Sequence, residues 1–126
     1  MLRILIVGTG GFCGAVLRYG LSGWVQRRWP SPFPWGTLSV NVLGCLALGV
    51  MMALVEGHEG PGERGRFFLA VGLLGSFTTF STFGYETVEL ARAGAVRDAL
   101  LYVVGNLLLG VLALLAGRFL VWFFGG

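Results

Sequence analysis

Residues 67–88 read FFLAVGLLGSFTTFSTFGYETV, a stretch long enough to cross a bilayer yet polar in its middle. The first eight residues are apolar. Among the seven residues 76–82, five carry hydroxyls: Ser76, Thr78, Thr79, Ser81 and Thr82. Phe77, Phe80 and Phe83 are threaded between them at every third position. Hydroxyls compete for the helix's own backbone groups and β-branched threonines lose rotamers in a helix, so this centre is expected to loosen the helix at mid-depth. Freed backbone at that depth is tolerated only where protein or a watery cavity satisfies it. The stretch predicts a membrane helix with a break in it.

The rest of the chain fits a membrane setting. Of its 126 residues 56% are hydrophobic and 12% charged, with a mean hydropathy of +0.81. A soluble domain of this length could not hide so much apolar surface. Three more apolar segments, 4–24, 35–55 and 99–124, join 67–88, and a span needs about 20 residues. The fold class expected is all-α integral membrane, a single domain over residues 1–126 with four transmembrane helices. The pieces between, QRRWPSPFPW, EGHEGPGERGR and ELARAGAVRD, read as loops. Trp24, Trp29, Trp35 and Trp122 fall at or near segment ends, where an aromatic belt places them. The first segment has no clear small-residue cleavage site and contains Arg18, so it reads as a helix and not as a signal peptide. Cys13 and Cys45 fall inside helices and are expected to be small core residues, not a disulfide.

The first segment also imitates a nucleotide-binding loop, with Gly8, Gly10 and Gly14 following an apolar run. No acidic residue follows about 20 positions on, and no parallel-sheet pattern surrounds it. In a membrane helix these glycines are expected to let another backbone come close.

All nine basic residues are arginines. With four helices, Arg3, Arg64, Arg66 and Arg118 share one side, and Arg27, Arg28, Arg92 and Arg97 the other. Four against four gives almost no orientation signal. Either the chain simply carries a weak signal, or it inserts both ways and pairs as an antiparallel dimer. The net charge of +3 is spread over both sides, so no nucleic-acid patch is expected.

Polar groups at membrane depth are costly and mark a pathway or a helix contact. Thr37, Asn41 and Gly44 share a face of the second helix, with Cys45 beside them and apolar Leu48 following. In the fourth helix Tyr102 and Asn106 are one turn apart. Arg18 is the one basic residue well inside a span, and it either snorkels to the interface or faces a vestibule where it attracts anions. No His or Cys cluster suggests a metal centre, and no nucleophile–base pair suggests an enzyme. His58 reads as a solvated loop residue. Phe80 and Phe83 share a face, and the positive edges of their rings could meet an anion where few full charges stand.

GTGGFCGAVLRY, GTLSVNVLG, GLLGSFTTFSTFGYE and the Tyr102/Asn106 stripe together resemble the Fluc (CrcB) fluoride channels across all four helices. The resemblance implies a fluoride-selective passive channel that exports cytoplasmic fluoride through two pores of an antiparallel, dual-topology homodimer. It implies a multi-pass protein of the inner (plasma) membrane. It assigns Phe80 and Phe83 to an aromatic box around fluoride, Asn41 to the pore and Arg18 to a vestibule. Ser81, Thr82, Tyr102 and Glu86 would line a polar track, with Thr37 and Asn106 beside it. The main-chain carbonyls of Gly75 and Thr78 would hold a structural Na⁺ that is not transported. The chain departs from the family's pattern at Ser76–Phe77, and at Asn106 and Gly110, where serines are common. Two readings from other classes stand beside this one. A small multidrug transporter requires an acidic residue in the first helix, which the segment 4–24 lacks. A non-transporting membrane subunit would use the polar stripes as assembly glue.

Overall fold

A computed structural model describes residues 1–57 and 60–125, so His58 lies outside the described residues. The described residues contain four helical spans long and apolar enough to cross a membrane. The first is α1, Leu2–Arg28, and the second α2, Trp35–Glu56. The third, Glu63–Arg92, is composite. It runs through α3 (Glu63–Arg66), a π-helical segment (Phe67–Leu74), α4 (Gly75–Phe77) and α5 (Phe80–Arg92). The fourth is α6, Val96–Phe124.

Local chemistry sets the ends of these helices. The prolines of SPFP keep residues 30–34 out of helix, since each lacks an N–H, and α2 starts directly after Pro34. Gln26 holds this connection. Its side-chain amide nitrogen, Nε2, donates to the Ser31 and Phe33 carbonyls at 2.9 and 3.2 Å, and its Oε1 accepts the Gly36 N–H. The helices outrun their apolar segments. The stretch 89–98, expected as loop, is helical through Arg92 and again from Val96, leaving only Ala93–Ala95 as the turn, with Gly94 at φ 80°. Polar residues end a hydrocarbon span without ending a helix, and Arg92 pairs with Glu89 along α5 at 3.3 Å.

The packing is inside-out relative to a soluble protein. Tyr102 and Val40 are the largest fully buried side chains, while Leu100, Leu107 and Leu108 of α6 are about 60% exposed. Water would not tolerate that surface; lipid is its matching solvent. Small residues bring the helices together. A Cβ on Gly10 or Gly14 of α1 would overlap the carbonyls of Phe68 or Leu73, and one on Gly49 or Gly117 would overlap across the α2–α6 contact. Gly8 is a correction to the sequence expectation: among the described residues nothing lies within 4 Å of its Cβ position, because it lies on the opposite flank of α1.

Ion pairs identify the two ends of the bundle. Arg3 meets Glu63 at 2.6 Å, and Arg118 grips Glu56 with both terminal nitrogens at 2.9 and 2.7 Å. The N-terminus, the C-terminus of α2, the start of α3 and the α6 C-terminus therefore share one end. At the other end, residues from the first and third connections line a common cavity.

Candidate ion pathway

Between α4 and α5, Thr78 and Thr79 are extended, with φ/ψ of −84°/157° and −148°/114°. This pair is the centre of the site. In an uninterrupted helix the Thr79 N–H would bond the Gly75 carbonyl, and the Thr82 N–H the Thr78 carbonyl. The Thr79 N–H donates instead to Asn41 Oδ1 at 2.8 Å. The Thr82 N–H donates to Thr79 Oγ1 at 3.3 Å, which makes Thr79 the N-cap of α5. The carbonyls of Gly75 and Thr78 thereby lose their helical donors. The Phe80 and Ser81 N–H groups in the first turn of α5 have no partner among the described residues. Carbonyl oxygens at the end of α4 thus face a cation chemically, and free N–H groups at the start of α5 an anion.

Asn41 is the clamp on this pair. Its Nδ2 donates to the Thr79 carbonyl at 3.3 Å and to Asn106 Oδ1 at 2.9 Å. Asn106 in turn donates from Nδ2 to the Tyr102 carbonyl at 3.0 Å. One turn after Asn41 comes Gly44, and a Cβ there would overlap the Thr78 methyl, so α2 offers both a hydrogen-bonding seat and a space for the extended pair. The Thr78 hydroxyl returns to the Leu74 carbonyl at 3.1 Å.

Toward the bundle end that holds the first connection, a second polar group forms around Glu86. Its carboxylate accepts the Thr37 hydroxyl at 3.0 Å and the Tyr102 hydroxyl at 2.6 Å. Tyr102 is 0% exposed and packs on both sides: Phe83 lies 5.4 Å away between ring centroids, and Phe33 meets it edge-on at 5.5 Å.

Two cavities flank these groups. One of about 580 Å³ opens among Gln26, Thr37, Thr82, Tyr85 and Glu86. The other, about 320 Å³, is lined by Asn41, Gly75, Thr78, Thr79, Phe80, Phe83 and Asn106. The structure thus gathers Thr37, Asn41, Thr82, Phe83, Glu86, Tyr102 and Asn106 along one seam of α2, α5 and α6. The Phe80 and Phe83 rings lie 5.5 Å apart, but Phe83 is 9% exposed and Phe80 81%. Ser81 is exposed, with its hydroxyl 3.5 Å from that of Thr79. Arg18 is half-buried on α1, lines neither cavity and has no ion pair among the described residues.

The profile of the family described as CrcB-like protein, Camphor Resistance (CrcB), matches residues 5–118. The chain belongs to the CrcB family. Among curated relatives of this CrcB chain is "Fluoride-specific ion channel FluC" of Thermus thermophilus. It is 49% identical over 115 residues, 91% of this chain and 90% of its own length. A protein of the same name from Chloroflexus aurantiacus is 41% identical over 126 residues, the whole of both chains. "Fluoride-specific ion channel FluC 1" of Methanosarcina acetivorans is 44% identical over 118 residues, 94% of this chain and 89% of its own. With the four apolar spans, these make this CrcB chain a multi-pass membrane protein.

Two residues central to the CrcB site went unassigned in the sequence. Thr79 is the hub of five hydrogen bonds, and the signal for it was an N-cap threonine three positions before Thr82. Gln26 shapes the larger cavity, and nothing local in its sequence marks that role, because its partners belong to the following connection.

Proposed function

We propose that the chain is a fluoride-selective passive channel that lets cytoplasmic fluoride leave across the plasma membrane. The observation that carries this is the extended pair Thr78–Thr79, held by Asn41 beside a cavity that contains both phenylalanines. A small anion must leave its water to cross, and dehydration of an ion is costly unless polar partners replace the water. Free N–H groups at the start of α5 supply positive potential in the manner of any helix N-terminus. The ring edges of Phe80 and Phe83 add a weak positive surface that carries no full charge and so does not trap the ion. At the neighbouring cavity the Thr37 and Tyr102 hydroxyls donate to the Glu86 carboxylate, which masks its negative charge from a passing anion. The activity makes and breaks no covalent bond, so the protein is not an enzyme.

The working unit is an antiparallel, dual-topology homodimer with two pores and a break in each third helix. Exposed Phe80, Ser81 and Thr82 support a second chain, since polar side chains turned to lipid are costly. The even division of arginines supports insertion both ways. Na⁺ fits the carbonyls of Gly75 and Thr78, which have lost their helical donors to Asn41 and Thr79. When bound, it supplies positive charge that holds these oxygens together. Purified protein in liposomes should release fluoride and retain chloride; equal release of both, or of neither, would refute the reading.

A further inference from the structure

The first connection builds one wall of the larger cavity, and a single amide holds that wall. Helix α2 begins after Pro34, whose side chain has no group to cap it. The Trp35 N–H turns back to the Phe33 carbonyl at 2.9 Å, and the Gly36 N–H needs a partner from elsewhere. Gln26 supplies it from α1: its Oε1 accepts that N–H at 3.2 Å, across 10 positions of sequence. Its Nε2 spends both hydrogens on the connection, one on the Ser31 carbonyl and one on that of Phe33. A primary amide has two donors, so Gln26 keeps none for an anion. One side chain thus fixes the strap of residues 29–34 and the first turn of α2 together. What it fixes borders the pathway. Pro32 and Pro34 line the larger cavity beside Gln26. The Phe33 ring lies 5.5 Å from that of Tyr102, and Thr37, directly after Gly36, donates to Glu86.

Resting on the channel reading, we propose that Gln26 is a positioning residue for fluoride passage: it latches the proline strap in place as a wall of the larger cavity, where the ion crosses, and does not itself touch the ion. The strap acts by shape. Its prolines have no N–H to bind an anion, and their fixed φ keeps the wall stiff. Without the latch the strap loses its bonds to α1, and the packing of Phe33 on Tyr102 and Trp35 is left to hold it. The strap then strays across the cavity, while the smaller cavity around Asn41 is untouched. Such a change lowers the maximal rate of passage and leaves the half-saturating fluoride concentration where it was.

The test has two arms, both read as fluoride efflux from proteoliposomes. The first locates the wall. Pro32→Cys, exposed and lining the cavity, is compared with Pro30→Cys, exposed on the same strap but not lining it. Each is modified in detergent with a bulky uncharged thiol reagent and then reconstituted, so every copy is reached whichever way it later inserts. Wild type, with its own Cys13 and Cys45, is treated in parallel. Modification should cut efflux about tenfold at Pro32→Cys and change it little at Pro30→Cys. Unchanged efflux from fully modified Pro32→Cys, or an equal fall at Pro30→Cys, would overturn the wall. The second arm tests the latch with Gln26→Met, of similar length but without the amide. Its maximal rate should fall about tenfold, on the scale of one or two lost hydrogen bonds, with half-saturation as in wild type. Hydrogen–deuterium exchange should quicken in residues 29–38 and not in 75–84, as a general loss of structure would make it. A wild-type maximal rate, unchanged exchange in 29–38, or equal quickening in both segments would overturn the latch. Should Gln26→Met fail to fold, Gln26→Asn, which keeps the amide but shortens its reach, decides this arm by a maximal rate below wild type or equal to it. A wild-type protein with no fluoride efflux would refute the channel reading, while exchange in 29–38 would still judge what Gln26 holds.

Discussion

Asn41→Asp changes almost no volume and reverses the chemistry of one side of the amide. The Asp retains an oxygen for the Thr79 N–H, now 2.8 Å from Asn41 Oδ1. Its other oxygen replaces Nδ2 and confronts the Thr79 carbonyl, 3.3 Å away, and Asn106 Oδ1, 2.9 Å away. Two hydrogen bonds become two oxygen–oxygen contacts, and each lost bond in a partly buried site costs about 1 kcal/mol or more. Rotation of the Asn106 amide would relieve one clash, at the expense of its bond to Tyr102. The larger effect falls on the ion. A like charge about 4 Å from fluoride, at an effective dielectric near 20, costs about 4 kcal/mol. At about 1.4 kcal/mol per decade, that slows passage roughly a thousandfold. Efflux from proteoliposomes, followed with a fluoride electrode, should therefore fall well below that of Asn41→Ala, which removes the clamp but adds no charge. Asn41→Asp efflux equal to or above that of Asn41→Ala, in protein that elutes like wild type, would show that the anion does not pass near this position.

Phe83→Leu should lower thermal stability by about 1 kcal/mol, because its ring packs on buried Tyr102, whereas Phe80→Leu, at an exposed ring, should not. Both should cut fluoride efflux steeply without a chloride leak, and near-normal fluoride efflux from both would return the site to the amides and hydroxyls. Gly14→Ala should destabilise the protein by several kcal/mol or prevent folding, since its methyl would overlap the Leu73 carbonyl, and Gly8→Ala should be neutral; matched melting temperatures in detergent would contradict this packing. Single cysteines placed in the connection between Glu56 and Glu63 should label from both sides of the membrane, and labelling from one side only would end the dual-topology proposal.

The four spans were legible in the sequence because a bilayer requires each crossing helix to satisfy its own backbone, and that demand is met locally by an apolar run. The division of arginines between two ends was legible for the same reason, since helix order alone assigns the ends. The hydroxyl cluster at 76–82 marked where helix geometry would be contested, through the competition of Ser and Thr for nearby backbone groups. What the sequence left open was how each helix is turned about its axis. In lipid an apolar flank and a packed flank look alike, so hydrophobic pattern does not choose between them. Phe80 and Phe83 are equivalent by spacing, yet packing against Tyr102 buries one and leaves the other exposed. Gly8 and Gly14 look equally suited to a close contact, and only the position of the π-helical segment decides for Gly14. Among five threonines and serines of similar character, Thr79 became the hub because Asn41, itself held by Asn106, meets it there from a helix far away in the chain. Those bonds join residues 38 and 65 positions apart, a distance over which only the tertiary fold carries information.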